Sequence, residues 1–147
     1  MEFEYSYGRL AEEDIKKFED KYKIKLPKAY KEFLLIYNGG KPVIRRFKTA
    51  EGTMTSSVML FFPLSEETEL NLENYYRKYT QGSIVPSNLM PIGIDPADSL
   101  ICLQIEDEDK VYFCDMDYFE EDLELKDEYI LLVADNFSAF LKKLFTS

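Results

Sequence analysis

The sequence predicts an α+β fold: a twisted, mostly antiparallel sheet flanked by helices, with a helix pair at the N-terminus and one helix at the C-terminus. Three observations carry this. Two early segments, separated by only about four residues, repeat apolar side chains at helical spacing. From residue 88 the texture changes to short strand-like runs joined by turns. The last apolar stripe returns to helical spacing behind an Asp-Asn cap.

In chain order, "LAEEDIKKFEDKYKIK" reads as a helix over about 11–22, with Ile15, Phe18 and Tyr22 as its stripe. Glu12, Glu13 and Asp14 sit in the first turn, where the helix dipole favours anions. "LPKAYKEFLLIYNGG" reads as a second helix over 27–38. Pro27 suits its first position, where a missing N–H costs nothing. Tyr30, Phe33, Leu34 and Tyr37 share one face, and Gly39 can take the left-handed conformation that ends a helix. The two helices are expected to form an antiparallel or angled pair.

Val43, Ile44 and Phe47 suggest a short extended segment, and "SSVMLFFPL" a strand ended by Pro63. "LNLENYYRKYTQGS" gathers Leu72, Tyr75, Tyr76 and Tyr79 on one helical face, with Gly82 as its stop. A strand follows at 90–94, then a turn at Asp95-Pro96-Ala97-Asp98, then strands at 100–105 and 110–115 joined by the turn Glu106 to Asp109. Alternation of Ile101, Leu103 and Ile105 with other neighbours supports half-burial. "EYILLVA" is another strand. "DNFSAFLKKLF" closes as a helix capped by Asp135 or Asn136, with Phe137, Phe140, Leu141 and Leu144 as its stripe. Leu26, Tyr30, Phe33, Leu34, Ile101, Leu103, Phe137, Phe140 and Leu141 are expected to be buried.

At 147 residues, the chain is expected to form a single domain over 1–147, burying roughly two-thirds of its unfolded surface. Without an apolar run of membrane-spanning length or a secretory start, the expected location is the cytoplasm. Cys102 and Cys114 fall on neighbouring strands and are expected as free thiols. The sequence contains no histidine, which excludes Ser–His and Cys–His nucleophile pairs and makes a zinc site poor. Neither phosphate-cradling glycine motif is present. "DMDYFEEDLELKDE" begins like a calcium loop at Asp115 and Asp117, but Phe119, Glu120 and Lys126 stand where an acid, a glycine and a glutamate are needed. No cofactor and no metal are called for, and an enzyme would need some pair of the many carboxylates to converge.

Charge is unevenly spread. Residues 1–87 hold 14 Lys+Arg and 13 Asp+Glu, a net of +1, whereas residues 88–147 hold 4 and 15, a net of −11. An acidic face repels nucleic acid and attracts basic protein. A solvated surface kept acidic for solubility accounts for the same charges, and a charged hairpin turn accounts for Glu106-Asp107-Glu108-Asp109.

The order of segments resembles the SUKH superfamily, and within it the group named after a fungal regulator of cell-wall glucan synthesis. The resemblance rests on Leu26, Pro27, Tyr30, Phe33, Leu34, Asn38, Gly39 and Gly40, and then on Pro91, Gly93, Asp95, Asp98, Ile101, Val111, Tyr112, Asp115, Phe137, Phe140 and Leu141. The chain departs from the pattern in "DPADS" and in Asp115-Met116-Asp117. The resemblance implies an α+β domain without catalytic machinery. Bacterial members are mainly immunity proteins that bind and neutralise polymorphic or contact-dependent toxins, many of them nucleases.

Two non-enzymatic roles stay open: toxin immunity, and an adaptor or regulator that binds an endogenous protein. For either, the expected partner is a protein, for immunity a basic toxin domain, with no nucleic acid and no membrane. The candidate partner-binding residues are Asp95, Asp98, Glu106, Asp107, Glu108, Asp109, Asp115, Asp117, Glu120, Glu121 and Asp122, with Tyr112 and Tyr118 as anchors. The alternative places are the sheet surface and the helix carrying Tyr75, Tyr76 and Tyr79.

Overall fold

The computed structural model of the chain describes residues 1–146 except 107, 118 and 120–123. Its elements are β1 (Phe3–Tyr7), α1 (Glu12–Tyr22), α2 (Lys28–Ile36), β2 (Asn38–Pro42), β3 (Arg46–Lys48), β4 (Thr55–Ser57), β5 (Leu60–Phe61), α3 (Leu72–Tyr75), β6 (Leu89–Ile94), β7 (Leu100–Gln104), β8 (Val111–Cys114), β9 (Ile130–Ala134) and α4 (Phe137–Lys143). Seven strands form one sheet in the order β1-β2-β5-β6-β7-β8-β9, and every pairing is antiparallel. β3 and β4 make a separate two-stranded sheet. The fold is therefore α+β, with helices flanking a large antiparallel sheet.

α1 ends where Lys23 enters the left-handed region at φ 55°. The Leu26 N–H then donates to the Glu19 carboxylate at 2.7 Å, fixing the short connection into α2. Against one sheet face, Ile15 and Phe18 of α1, Tyr30, Phe33 and Leu34 of α2, and Phe137 and Phe140 of α4 join Ile92, Ile101, Leu103 and Phe113 in the main core. Phe33 stands between Phe61 and Phe137, with ring centroids 5.2 and 5.1 Å away in edge-on geometry, an arrangement the aromatic quadrupole favours. Eight of the nine residues expected to be buried are so; Leu141 is half-buried, packed against the margin of the main core.

The largest correction concerns "YNGG". The second helix stops at Ile36 and does not run on to residue 38. Asn38, Gly39 and Gly40 begin β2, between β1 and β5. A Cβ on Gly39 (φ 63°) would lie 2.5 Å from the Pro63 nitrogen, and one on Gly40 (φ 117°) would lie 2.1 Å from the Tyr5 carbonyl oxygen. The glycines therefore allow backbone to pass close on both sides; Gly39 is left-handed as expected, but inside a strand. The buried Asn38 amide locks the junction, donating to the carbonyls of Gly8 (2.9 Å) and Leu64 (3.2 Å) and accepting from the Leu64 N–H (2.8 Å).

β1 was not expected, although Phe3, Tyr5 and Tyr7 alternate as a strand does. "SSVMLFFPL" splits into β4 and β5, which belong to different sheets. Val43 and Ile44 are exposed, and only Phe47 of that trio is buried. The third helix is α for one turn only and continues as a π-helix from Tyr76 to Gln81. Of the two proposed caps of α4, Asn136 serves, its side chain accepting from the Ala139 N–H at 2.8 Å. Among the described residues, no helix is long and apolar enough to cross a membrane.

Candidate partner-binding surface

The acidic residues singled out from the sequence divide between the two ends of β7 and β8. At one end is the β6–β7 turn. Asp95 is only 5% exposed. One of its oxygens accepts from the N–H groups of Ala97 (2.9 Å) and Ser99 (2.8 Å), and the other from the Ser56 hydroxyl (2.7 Å). Its carboxylate is the knot of the turn and is not offered to solvent. Asp98, three residues on, takes φ 66° and is exposed. Ser99 ties this turn to the end of β8, its hydroxyl accepting from the Met116 N–H at 3.0 Å. Asp115, 6% exposed, turns inward too, accepting from the Asp117 N–H at 3.1 Å, while Asp117 itself is exposed.

At the other end is the β7–β8 hairpin, closed by the Gln104 N–H donating to the Lys110 carbonyl at 2.9 Å. Glu106 and Glu108 are exposed. Glu108 lies 3.6 Å from the Lys110 ammonium. Asp109 is half-buried and accepts from the Phe137 N–H at 3.2 Å, satisfying one of the donors left free at the start of α4. A groove of about 300 Å³ separates Glu106, Glu108 and Asp109 from Lys25 and Lys28. The five residues of β7 put roughly 15 Å between the two acidic ends. Asp107, Tyr118, Glu120, Glu121 and Asp122 lie outside the described residues.

Between these ends, the sheet's second face carries a smaller core of Val85, Leu89, Leu100, Cys102, Cys114 and Leu125. Tyr112 is half-buried against it, together with Tyr75 and Tyr79 from the α3/π-helix segment. Phe62, Tyr75 and Tyr79 form a continuous stack, with centroids 4.0 and 5.5 Å apart, and the Lys78 ammonium lies 5.2 Å from the Tyr79 ring. Burial pushes the Tyr75 hydroxyl pKa up, and the neighbouring Tyr79 and Asp98 add to it. Tyr76 points the other way, into the main core against Phe18 and Tyr22. Cys102 and Cys114 are buried free thiols, and Cys102 is pushed well up by burial and by its hydrogen bond with Cys114. Among the described residues, no His, Cys, Asp and Glu group of three or more could hold a metal.

Sequence reasoning placed β6 to β9 but did not anticipate the second core, because the residues that cover it come from segments far apart in the chain. The capture of backbone N–H groups by Asp95 did have a local signal, although its burial did not. Asp at the first position of a Pro-Ala-Asp-Ser turn is the residue whose carboxylate captures backbone N–H groups two and more residues on.

The model of the SMI1 / KNR4 family (SUKH-1) matches residues 9–143. The chain belongs to this family. The match runs from just after β1 to the last residue of α4, so it takes in both helices of the N-terminal pair, the Asn-Gly-Gly junction and the acidic hairpin. SUKH domains generally bind protein partners, and the family includes immunity proteins as well as regulator-like members. A search among curated proteins finds no match.

Proposed function

We propose that this SUKH domain is an immunity protein of the cytoplasm, which binds a basic toxin domain and blocks it by occlusion, without chemistry of its own. The observation that carries this is the state of the exposed carboxylates in residues 88–146. Among the described residues, Asp98, Glu106, Asp117, Glu124 and Glu128 are exposed and form no ion pair. Charges left without internal partners project their field outward and raise the encounter rate with an oppositely charged surface. A nuclease toxin, basic where it holds nucleic acid, fits that field. The Tyr75–Tyr79 stack and Tyr112, between the two acidic ends, supply half-buried aromatic surface of the kind that anchors interfaces.

The test is association with the product of a toxin gene adjacent to this chain's gene, if there is one, measured by stopped flow across salt concentrations. Association should slow markedly as salt rises past about 0.1 M, where the Debye length falls to about 10 Å. A salt-independent rate would move the interface away from the acids. Tight binding to an endogenous basic protein, with no adjacent toxin, would make the chain an adaptor instead.

A further inference from the structure

The opposite edge of the molecule has a different character. β1 is the terminal strand of the seven-stranded sheet, and among the described residues no strand pairs with its outer edge. Of the six exposed large apolar side chains among the described residues, five come from β1 and the segments around it: Met1, Tyr5, Ile36, Val43 and Ile44. Pairing brings them together. The Val43 N–H donates to the Glu2 carbonyl at 3.0 Å, and the Tyr37 hydroxyl to the Met1 carbonyl at 2.8 Å, which sets Met1 beside the end of α2 where Ile36 is 57% exposed. Tyr5, at the centre of β1, is 51% exposed.

This edge is electrically quiet. Residues 1–7 and 38–45 carry Glu2, Glu4, Lys41 and Arg45, a net charge of zero. Glu4 is held by Lys41 at 3.2 Å and Arg45 at 3.6 Å. Natural edge strands are blunted by proline, unpaired charge or β-bulges. β1 has register shifts against β2, but no proline, and its one charge is already paired.

We propose that the β1 edge is a self-association surface, on which a second copy of this chain lays its own β1 antiparallel about a two-fold axis through Tyr5. The occupant is argued from charge. Two copies with net charge −10 repel each other, and contact is cheapest where the surface is neutral and farthest from the acids. Six strand spacings separate β1 from β9, roughly 29 Å, well beyond a Debye length of about 8–10 Å. The register follows from β1 itself. Centring on Tyr5 sets Phe3 opposite Tyr7 and Glu4 opposite Ser6, whereas centring on Glu4 would set two carboxylates face to face. The interface is isologous and closes as a dimer. The acidic ends and the tyrosine stack remain free on both copies.

Sedimentation equilibrium of the full chain over about 1–300 µM tests this. The expected result is a monomer–dimer equilibrium that tightens from about 0.05 to 0.5 M salt, since screening removes the repulsion between two acidic bodies. Tyr5→Lys, which places like charges on the axis, should weaken the dimer by about tenfold or more, while the thermal midpoint measured at monomer concentrations stays unchanged. Val43→Glu provides the same readout should Tyr5→Lys fail to fold. A monomer at every concentration overturns the proposal. So does a dimer that salt dissociates, which would be a head-to-tail contact of acidic and basic surfaces, or one that both variants leave intact.

Discussion

Residues 1–87 and residues 88–146 differ in how their charges balance: the first region has nearly as many cations as acids and holds most of the described ion pairs, the second has 15 acids to 4 cations. Six of the seven ion pairs among the described residues lie in the first region, where Glu4, Glu13, Glu19 and Glu73 each have a cationic neighbour. The second region has one, between Glu108 and Lys110. Among its other described carboxylates, Asp95, Asp109 and Asp115 accept from backbone N–H groups, while Asp98, Glu106, Asp117, Glu124 and Glu128 are exposed and form no ion pair. The same residue type therefore does three jobs. Paired acids cancel a field, inward acids build turns, and unpaired acids project a field that a partner can sense. Net charge alone does not separate these jobs.

The sharpest way to break this comparison is through the aromatic core, which should carry stability and not recognition. Phe33→Ala should cost about 3–5 kcal/mol, read as a shift in denaturant midpoint, while the fraction that remains folded binds the partner at an unchanged association rate. A fall in association rate for the folded fraction would mean that the helix pair takes part in binding.

Asp95→Ala should come next, at about 2–3 kcal/mol, since it strips the hydrogen-bond acceptor from two backbone N–H groups and the Ser56 hydroxyl. Thermal or chemical unfolding measures it. An effect below about 0.5 kcal/mol would deny Asp95 its structural role and return it to the surface set.

The combined replacement Asp98→Asn, Glu106→Gln, Glu108→Gln and Asp117→Asn should show the reverse pattern. Stability should hold or rise slightly as self-repulsion falls, and partner association at low salt should slow by about tenfold. Replacing one end at a time, Asp98 and Asp117 or Glu106 and Glu108, shows which of the two acidic ends meets the partner.

The smallest expected effect belongs to the paired region. Burial alone would raise the Glu73 pKa, but the hydrogen bonds from Arg77 (2.6 Å) and Lys21 (3.1 Å) outweigh it, so its carboxyl titrates below the usual range. A depressed folded-state pKa stabilises above the unfolded value, and that contribution disappears as pH falls through the folded one. Because Lys21 and Arg77 are exposed and water screens both pairs, Glu73→Gln should cost only about 0.5 kcal/mol at neutral pH. The difference from the parent should shrink as pH falls below the ordinary glutamate value of about 4.3 and vanish once the folded carboxyl is protonated. A difference that persists in acid would mean that the side chain's packing matters, not its charge.

Much of this was legible in the residues. Ile15 and Phe18, Tyr30 with Phe33 and Leu34, and Phe137 with Phe140 announce their helices because apolar spacing is a local property, and the turns at Asp95–Asp98 and Glu106–Asp109 announce theirs by composition. The Asn-Gly-Gly stretch was read as a helix stop because glycine after an apolar stripe usually is one. Here its meaning depends on Tyr5 and Pro63, which approach it from distant parts of the chain.

By itself, then, the sequence determined the helices α1, α2 and α4, the strands from residue 89 onward, and that the acids concentrate after residue 88. These follow from periodicity, capping and turn chemistry, which act over a few residues. Tertiary structure alone decided that β1 and β9 are the two edges, that Gly39 and Gly40 are a passage between strands, and that Asp95 and Asp115 face inward while Asp98 and Asp117 face out. The reason is that strand order and burial depend on contacts between segments dozens of residues apart, and two carboxylates three residues apart in one turn can meet entirely different surroundings.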